Sequence, residues 1–123
     1  MKYEDFTEEM RNEIINATKD SLSKLGIHTQ VRLSARMTRR NGEYIRIDTE
    51  PFQTTPVICK SVSVYGEGYV VPCDGIENAF DLYINLNYGF KYFKGGSNGV
   101  EIGQLRFRIF SDSMRISFIG FII

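Results

Sequence analysis

The stretch that most constrains the fold of this chain is Val100–Ile123. Apolar and polar residues alternate through Leu105-Arg106-Phe107-Arg108-Ile109 and again through Met114-Arg115-Ile116-Ser117-Phe118. That period of two, carried by β-branched and aromatic residues, is the pattern of a half-buried strand. Ser111-Asp112-Ser113 supplies turn chemistry between the two runs. With Ser111 and Asp112 as a tight loop, Phe110 faces Ser113, Ile109 faces Met114, Phe107 faces Ile116 and Leu105 faces Phe118. The apolar members then share one face. Arg106, Arg108 and Arg115 occupy the other. After Ser117 the pattern breaks: Phe118 and Ile122 continue inward, while Ile119, Phe121 and Ile123 read as an apolar outer row. A strand apolar on both sides is covered on both sides.

The chain supplies one long helix to do the covering. Residues 5–25 carry Phe6, Met10, Ile14, Ile15, Ala17, Leu22 and Leu25 across about half the circumference of a helix. Asp5 or Thr7 is placed to cap its start, Glu8 and Glu9 suit the positive end of its dipole, and Gly26 suits the position just past its end. A helix of about 20 residues is about 30 Å long and covers one sheet face. The outer row of the last strand is therefore expected to meet a partner. Ile119, Phe121 and Ile123, joined by the outward Tyr83 and Tyr92, are the candidate interface residues.

The middle of the chain reads as further strands. Val31, Leu33, Ala35 and Met37 alternate with Arg32, Ser34, Arg36 and Thr38. A three-residue loop, Arg40-Asn41-Gly42, pairs Met37 with Ile45 and Ala35 with Ile47 and keeps one face apolar. Glu50–Pro56 is a connector. Val57–Tyr65 and Tyr69–Pro72 read as a hairpin turning at Gly66-Glu67-Gly68, and residues 73–79 as a turn or one short helical turn. Phe80, Leu82, Ile84 and Leu86 mark another strand, extended to Phe93 with a bend at Gly89; residues 95–99 form a glycine-rich tip. The expected fold is one α+β domain over residues 1–123, with a helix in 1–26 and a β-rich body in 27–123. The sheet is mostly antiparallel with six to eight strands, open or curled into a barrel or two-layer sandwich.

Composition narrows the chemistry. Fifteen basic and fifteen acidic side chains cancel, so bulk charge points to neither nucleic acid nor membrane. No apolar run has the length of a transmembrane helix and no export signal is visible, which places the expected chain in the cytoplasm or, if viral, the virion. Cys59 and Cys73 match no metal spacing and are expected to be reduced thiols. His28, the lone histidine, lies just past the helix, where imidazolium is favoured, and has no partner at metal-ligand spacing. No nucleophile elbow, phosphate loop or carboxylate dyad accompanies it, so neither an enzyme nor a bound cofactor is expected.

Two polar signals remain. Arg32, Arg36, Arg39, Arg40 and Arg46 decorate one hairpin and Arg106, Arg108 and Arg115 another. With Tyr44, Tyr83 and Tyr92 interleaved they form a candidate aromatic–basic platform for nucleic acid. The share of Tyr and Phe also suits a protein interface. Ser117-Phe118-Ile119-Gly120-Phe121-Ile122-Ile123 resembles the final strand of C1q/TNF-like jelly rolls, a likeness of seven residues that implies trimers closing on that strand. In overall character the small, β-rich, motif-free chain is similar to many phage accessory proteins. The expected function is a non-enzymatic interaction or assembly subunit, homo-oligomeric or bound to another protein, of phage or mobile-element type. A nucleic-acid-binding module using the Arg/Tyr faces is the alternative.

Overall fold

A computed structural model of the chain describes residues 1–40, 42–53 and 55–123. A short 3-10 turn (η1, Tyr3–Asp5) leads into one helix, α1 (Glu8–Ser23). Six strands follow: β1 (Val31–Thr38), β2 (Gly42–Thr49), β3 (Ser61–Pro72), β4 (Ala79–Lys91), β5 (Ser97–Phe110) and β6 (Arg115–Ile122). They form a single antiparallel meander in the order β1-β2-β3-β4-β5-β6, with β1 and β6 as open edges. The α+β expectation with an N-terminal helix on a six-to-eight-stranded sheet holds. The sheet does not close into a barrel, and its consecutive hairpins are not the crossed connections of a jelly roll.

Local sequence accounts for the helix ends. Thr7, rather than Asp5, is the N-cap, and its hydroxyl accepts the Met10 N–H at 3.2 Å. At the other end the Ile27 N–H donates to Leu22 O and the Gly26 N–H to Ser23 O, with Gly26 at φ +80°. Phe6, Met10, Ile14, Leu22 and Ile27 are buried, each worth about 1.5–3 kcal/mol in removed apolar surface. Leu25, expected on the inner stripe, is exposed; Thr18 is buried in its stead, its hydroxyl bonded to Ile14 O. The helix packs against both edge strands, β1 and β6. The sheet therefore curls around it, and α1 fills the seam between the edges.

The core lies on the concave side. Ile45, Ile47, Val64, Leu82, Ile84, Leu86, Leu105, Phe107 and Ile109 line it from β2 to β5. At the end of the β2–β3 ladder the buried Thr49 hydroxyl accepts the Val64 N–H at 2.8 Å, so no donor is orphaned there.

Three registers differ from the sequence reading. Gly66-Glu67-Gly68 is not a turn but the middle of β3, a twelve-residue strand. A Cβ at Gly66 would stand 2.7 Å from Leu86 Cδ2, and one at Gly68 2.7 Å from Ile84 Cγ1. The glycines make room for the β4 core residues; close approach uses the same residue type as a turn. The β1–β2 register is displaced by two residues from the expected one, pairing Ala35 with Ile45 and Met37 with Glu43. An even displacement preserves the faces. Of the proposed Arg40-Asn41-Gly42 loop, Asn41 lies outside the described residues.

The β5–β6 register changes more. Phe110 pairs with Arg115 and Phe107 with Phe118, again two residues from expectation, leaving residues 111–114 as the turn. Between Arg106 and Phe107 the register shifts, so that Arg106 pairs with Gly120 and Leu105 with Phe121. Ile119 is the extra residue of a β-bulge.

Candidate interaction surfaces

The bulge reverses the faces of the last residues of β6. Phe121 turns inward against the core, where a Cβ on Gly103 would meet its ring at 3.0 Å. The expectation that Ile119, Phe121 and Ile123 form one outer row is corrected accordingly: alternation predicts faces only while the ladder is unbroken. Ile122, paired with Gln104, takes the outward place instead. What remains uncovered is nonetheless apolar: Phe118 is 42%, Ile119 61%, Ile122 48% and Ile123 84% exposed.

The path of α1 explains that exposure. Its first half, through Glu9, Glu13 and Asn16, borders a groove with Arg115, Ile116 and Ser117. Its second half, at Lys19 and Ser23, lies instead beside Ile27, His28, Glu50 and Phe52. The helix thus follows the start of β6 and diverges from its end. From Ile116 to Ile123 the chain has no charged side chain. Among the described residues no strand pairs with the outer edge of β6.

The convex face of the sheet is polar. Arg46 is held by Asp48 at 3.1 Å and reaches Glu67 at 3.6 Å. Arg108 meets Asp81 at 3.0 Å. The hydrogen bond to Asp48 holds the Arg46 guanidinium above its usual pKa against the opposing effect of burial, and the bond to Asp81 does the same for Arg108. Arg32 and Arg36 are exposed on β1, and Arg39 and Arg40 at the tip of that hairpin. Arg106 is exposed and bonded to Gln104 Oε1 at 2.8 Å, and Arg115 is exposed at the start of β6.

The registers align part of this set. Arg36 pairs with Tyr44, Tyr69 pairs with Tyr83, and Tyr83 pairs with Arg106. Tyr44 precedes Ile45 and Tyr69 follows Gly68, so both lie next beyond the last pair of the antiparallel β2–β3 ladder. Arg36, Tyr44, Tyr69, Tyr83 and Arg106 therefore cross the convex face in one row. Tyr69 and Tyr83 have ring centroids 5.8 Å apart, and the Arg106 guanidinium lies 5.6 Å from the Tyr83 centroid. Arg46, one row away, lies 5.5 Å from the ring centroid of Tyr65 in the row beyond. Tyr92, expected on the same platform, sits instead in the β4–β5 turn beside the exposed Phe93. Tyr69, an outward tyrosine not expected on the platform, joins it because β3 continues through Gly66-Glu67-Gly68 instead of turning there.

The remaining chemistry-bearing residues do not converge. His28 Nδ1 lies 3.4 Å from Ser23 Oγ on the wall of an open depression of about 530 Å³, and meets the last helical side chain rather than a helix carbonyl. Cys59 is buried and Cys73 half-buried, and they are not bonded to each other. No group of three or more His, Cys, Asp or Glu side chains able to hold a metal ion occurs among the described residues. No helix among them is long and apolar enough to cross a membrane. No family model matches the chain, and neither a curated protein nor a solved structure matches it significantly.

Proposed function

We propose that the chain is a non-enzymatic assembly subunit that joins a second copy of itself through β6. The observation that carries this reading is the open β6 edge, uncharged from Ile116 onward and exposed at Phe118, Ile119, Ile122 and Ile123. An open edge presents a row of unpaired N–H and C=O groups, which another β-strand satisfies most fully. β6 of a second copy brings the same apolar, uncharged side chains to that edge, giving an isologous antiparallel pair. β1 is the poorer partner, because Arg32 and Arg36 stand along it. Pairing of like edges closes the assembly as a dimer, whereas β6-to-β1 pairing would grow an open filament. A small motif-free β subunit of this kind suits a phage or mobile-element particle, and the virion is then its place of action.

Light scattering coupled to size-exclusion chromatography tests this directly. The parent chain is expected to run as a dimer that dissociates on dilution, and Ile119→Arg as a monomer with unchanged far-ultraviolet circular dichroism. Ile119 is the mostly exposed bulge residue, so its replacement leaves the core intact. A parent chain that stays monomeric up to millimolar concentration overturns the proposal.

A further inference from the structure

The row Arg36–Tyr44–Tyr69–Tyr83–Arg106 lies on the convex face, away from the helix; its Arg106 end pairs with Gly120 of β6, and strand pairing at the outer edge of β6 leaves its tyrosines uncovered. We infer that this row is a binding platform for single-stranded nucleic acid. Three properties point to that ligand. The row brings three tyrosines together with an arginine at each end, the combination in which bases stack on aromatic rings and guanidiniums meet the backbone phosphates. Neighbouring strands lie about 4.8 Å apart, so five strands carry the row over about 19 Å. That length accommodates several successive bases rather than one small molecule.

The second property is charge. The molecule is neutral as a whole, but its charges are sorted by face. The segment 1–26 holds six acidic and four basic groups, while the convex face carries Arg32, Arg36, Arg46, Arg106, Arg108 and Arg115. The carboxylates nearest the row are engaged: Asp48 and Glu67 with Arg46, and Asp81 with Arg108. Among the described residues no carboxylate pairs with Arg36 or Arg106, so the ends of the row are where a polyanion is attracted. Local concentration of one sign on a surface, not net charge, sets that attraction.

The third property separates nucleic acid from an acidic protein. An acidic peptide would be met by arginines alone and would leave the tyrosines without a role. Tyr69 is 48% exposed and paired with Tyr83, with ring area open to solvent at the centre of the row. Duplex DNA fits less well, since its bases are stacked on one another and their faces cannot reach the tyrosine rings.

Fluorescence anisotropy with a labelled 20-nucleotide oligo-dT measures the binding. The chain has seven tyrosines and no tryptophan, so quenching of its intrinsic emission reports ring–base contact independently. Tyr69→Ala is expected to weaken binding about fivefold or more, while Tyr69→Phe keeps the parent affinity. Arg36→Gln with Arg106→Gln removes two phosphate contacts; for the parent those two predict about a sevenfold loss between 50 and 200 mM salt, a dependence the double variant loses. A duplex of the same length and a poly-glutamate peptide are expected to bind at least about tenfold more weakly than oligo-dT, by the loss of stacking. Equal affinity for the peptide, binding indifferent to Tyr69→Ala, or no binding at 50 mM salt would each overturn the inference. Light scattering of the chain at the concentrations of the titration keeps this outcome separate from that of the assembly proposal.

Discussion

The two edges of the sheet solve the same problem in opposite ways. Each exposes one side of a strand, and an exposed strand recruits others. β1 is guarded: Arg32 and Arg36 project from it, and Arg39 and Arg40 crowd its end. β6 is not: beyond Arg115 it is Ile, Ser, Phe, Ile, Gly, Phe, Ile, Ile, kinked by a bulge at Ile119. The helix touches both strands, and on β6 it borders the start, at Arg115–Ser117. A chain that protects one edge with charge and leaves the other apolar treats the two differently, and the unprotected one is where a partner strand belongs.

The bulge gives the sharpest way to break that contrast. Phe121→Arg, below the bulge, puts a charge against the Gly103 and Leu105 side of the core and is expected to destabilise the fold by about 3 kcal/mol. Ile119→Arg, two residues earlier, is expected to cost the fold less than about 0.5 kcal/mol while removing self-association. Urea denaturation of both variants as monomers at low concentration decides it. Equal stabilities would place Phe121 outward and remove the bulge.

The guard on β1 has a smaller expected effect. Replacing Arg32 and Arg36 together by valine makes β1 resemble β6. The double variant should form open-ended assemblies, with higher-mass species appearing at about tenfold lower concentration than in the parent, as dynamic light scattering would read. Unchanged assembly would mean that the β1 edge is blocked by something other than its charges.

Smallest of all is the contribution of the convex ion pairs, which neutralise the face without holding the edges together. Arg46→Gln should lower stability by about 0.5 kcal/mol or less, since the pair with Asp48 is partly solvated, and by less still in high salt. The pKa of Arg46 is raised on folding, so its contribution is fully present below the unfolded value and is lost only as pH rises through the folded one, far into the alkaline range. Between pH 6 and 9 the Arg46→Gln difference, measured by thermal unfolding, should therefore stay constant with respect to titration of the arginine.

Strands β4 and β5 were legible because their alternation is uninterrupted where they line the core: Leu82, Ile84 and Leu86 face Phe107, Leu105 and Gly103 across an unshifted ladder. The helix was legible down to its end signal at Gly26, since capping is decided within a few residues. Gly66-Glu67-Gly68 was misread because the reason for those glycines, the bulk of Ile84 and Leu86, lies on another strand. The platform was half legible. Arginine and tyrosine positions follow from parity along each strand, but which of them share a row depends on how the strands are paired.

Residue order by itself determined the helix and its caps, the apolar face of each unbroken strand and the sorting of charge between the N-terminal segment and the sheet. These are properties of neighbours along the chain, fixed by periods of 2 and 3.6 and by local backbone hydrogen bonding. The tertiary structure decided what depends on neighbours across it. It set the bulge at Ile119 that turns Phe121 inward, the divergence of α1 that uncovers the end of β6, and the register that brings Tyr69 and Tyr83 together between Arg36 and Arg106. A shift of one residue in pairing reverses every face beyond it, and no local signal in β6 records where its partner strand places that shift.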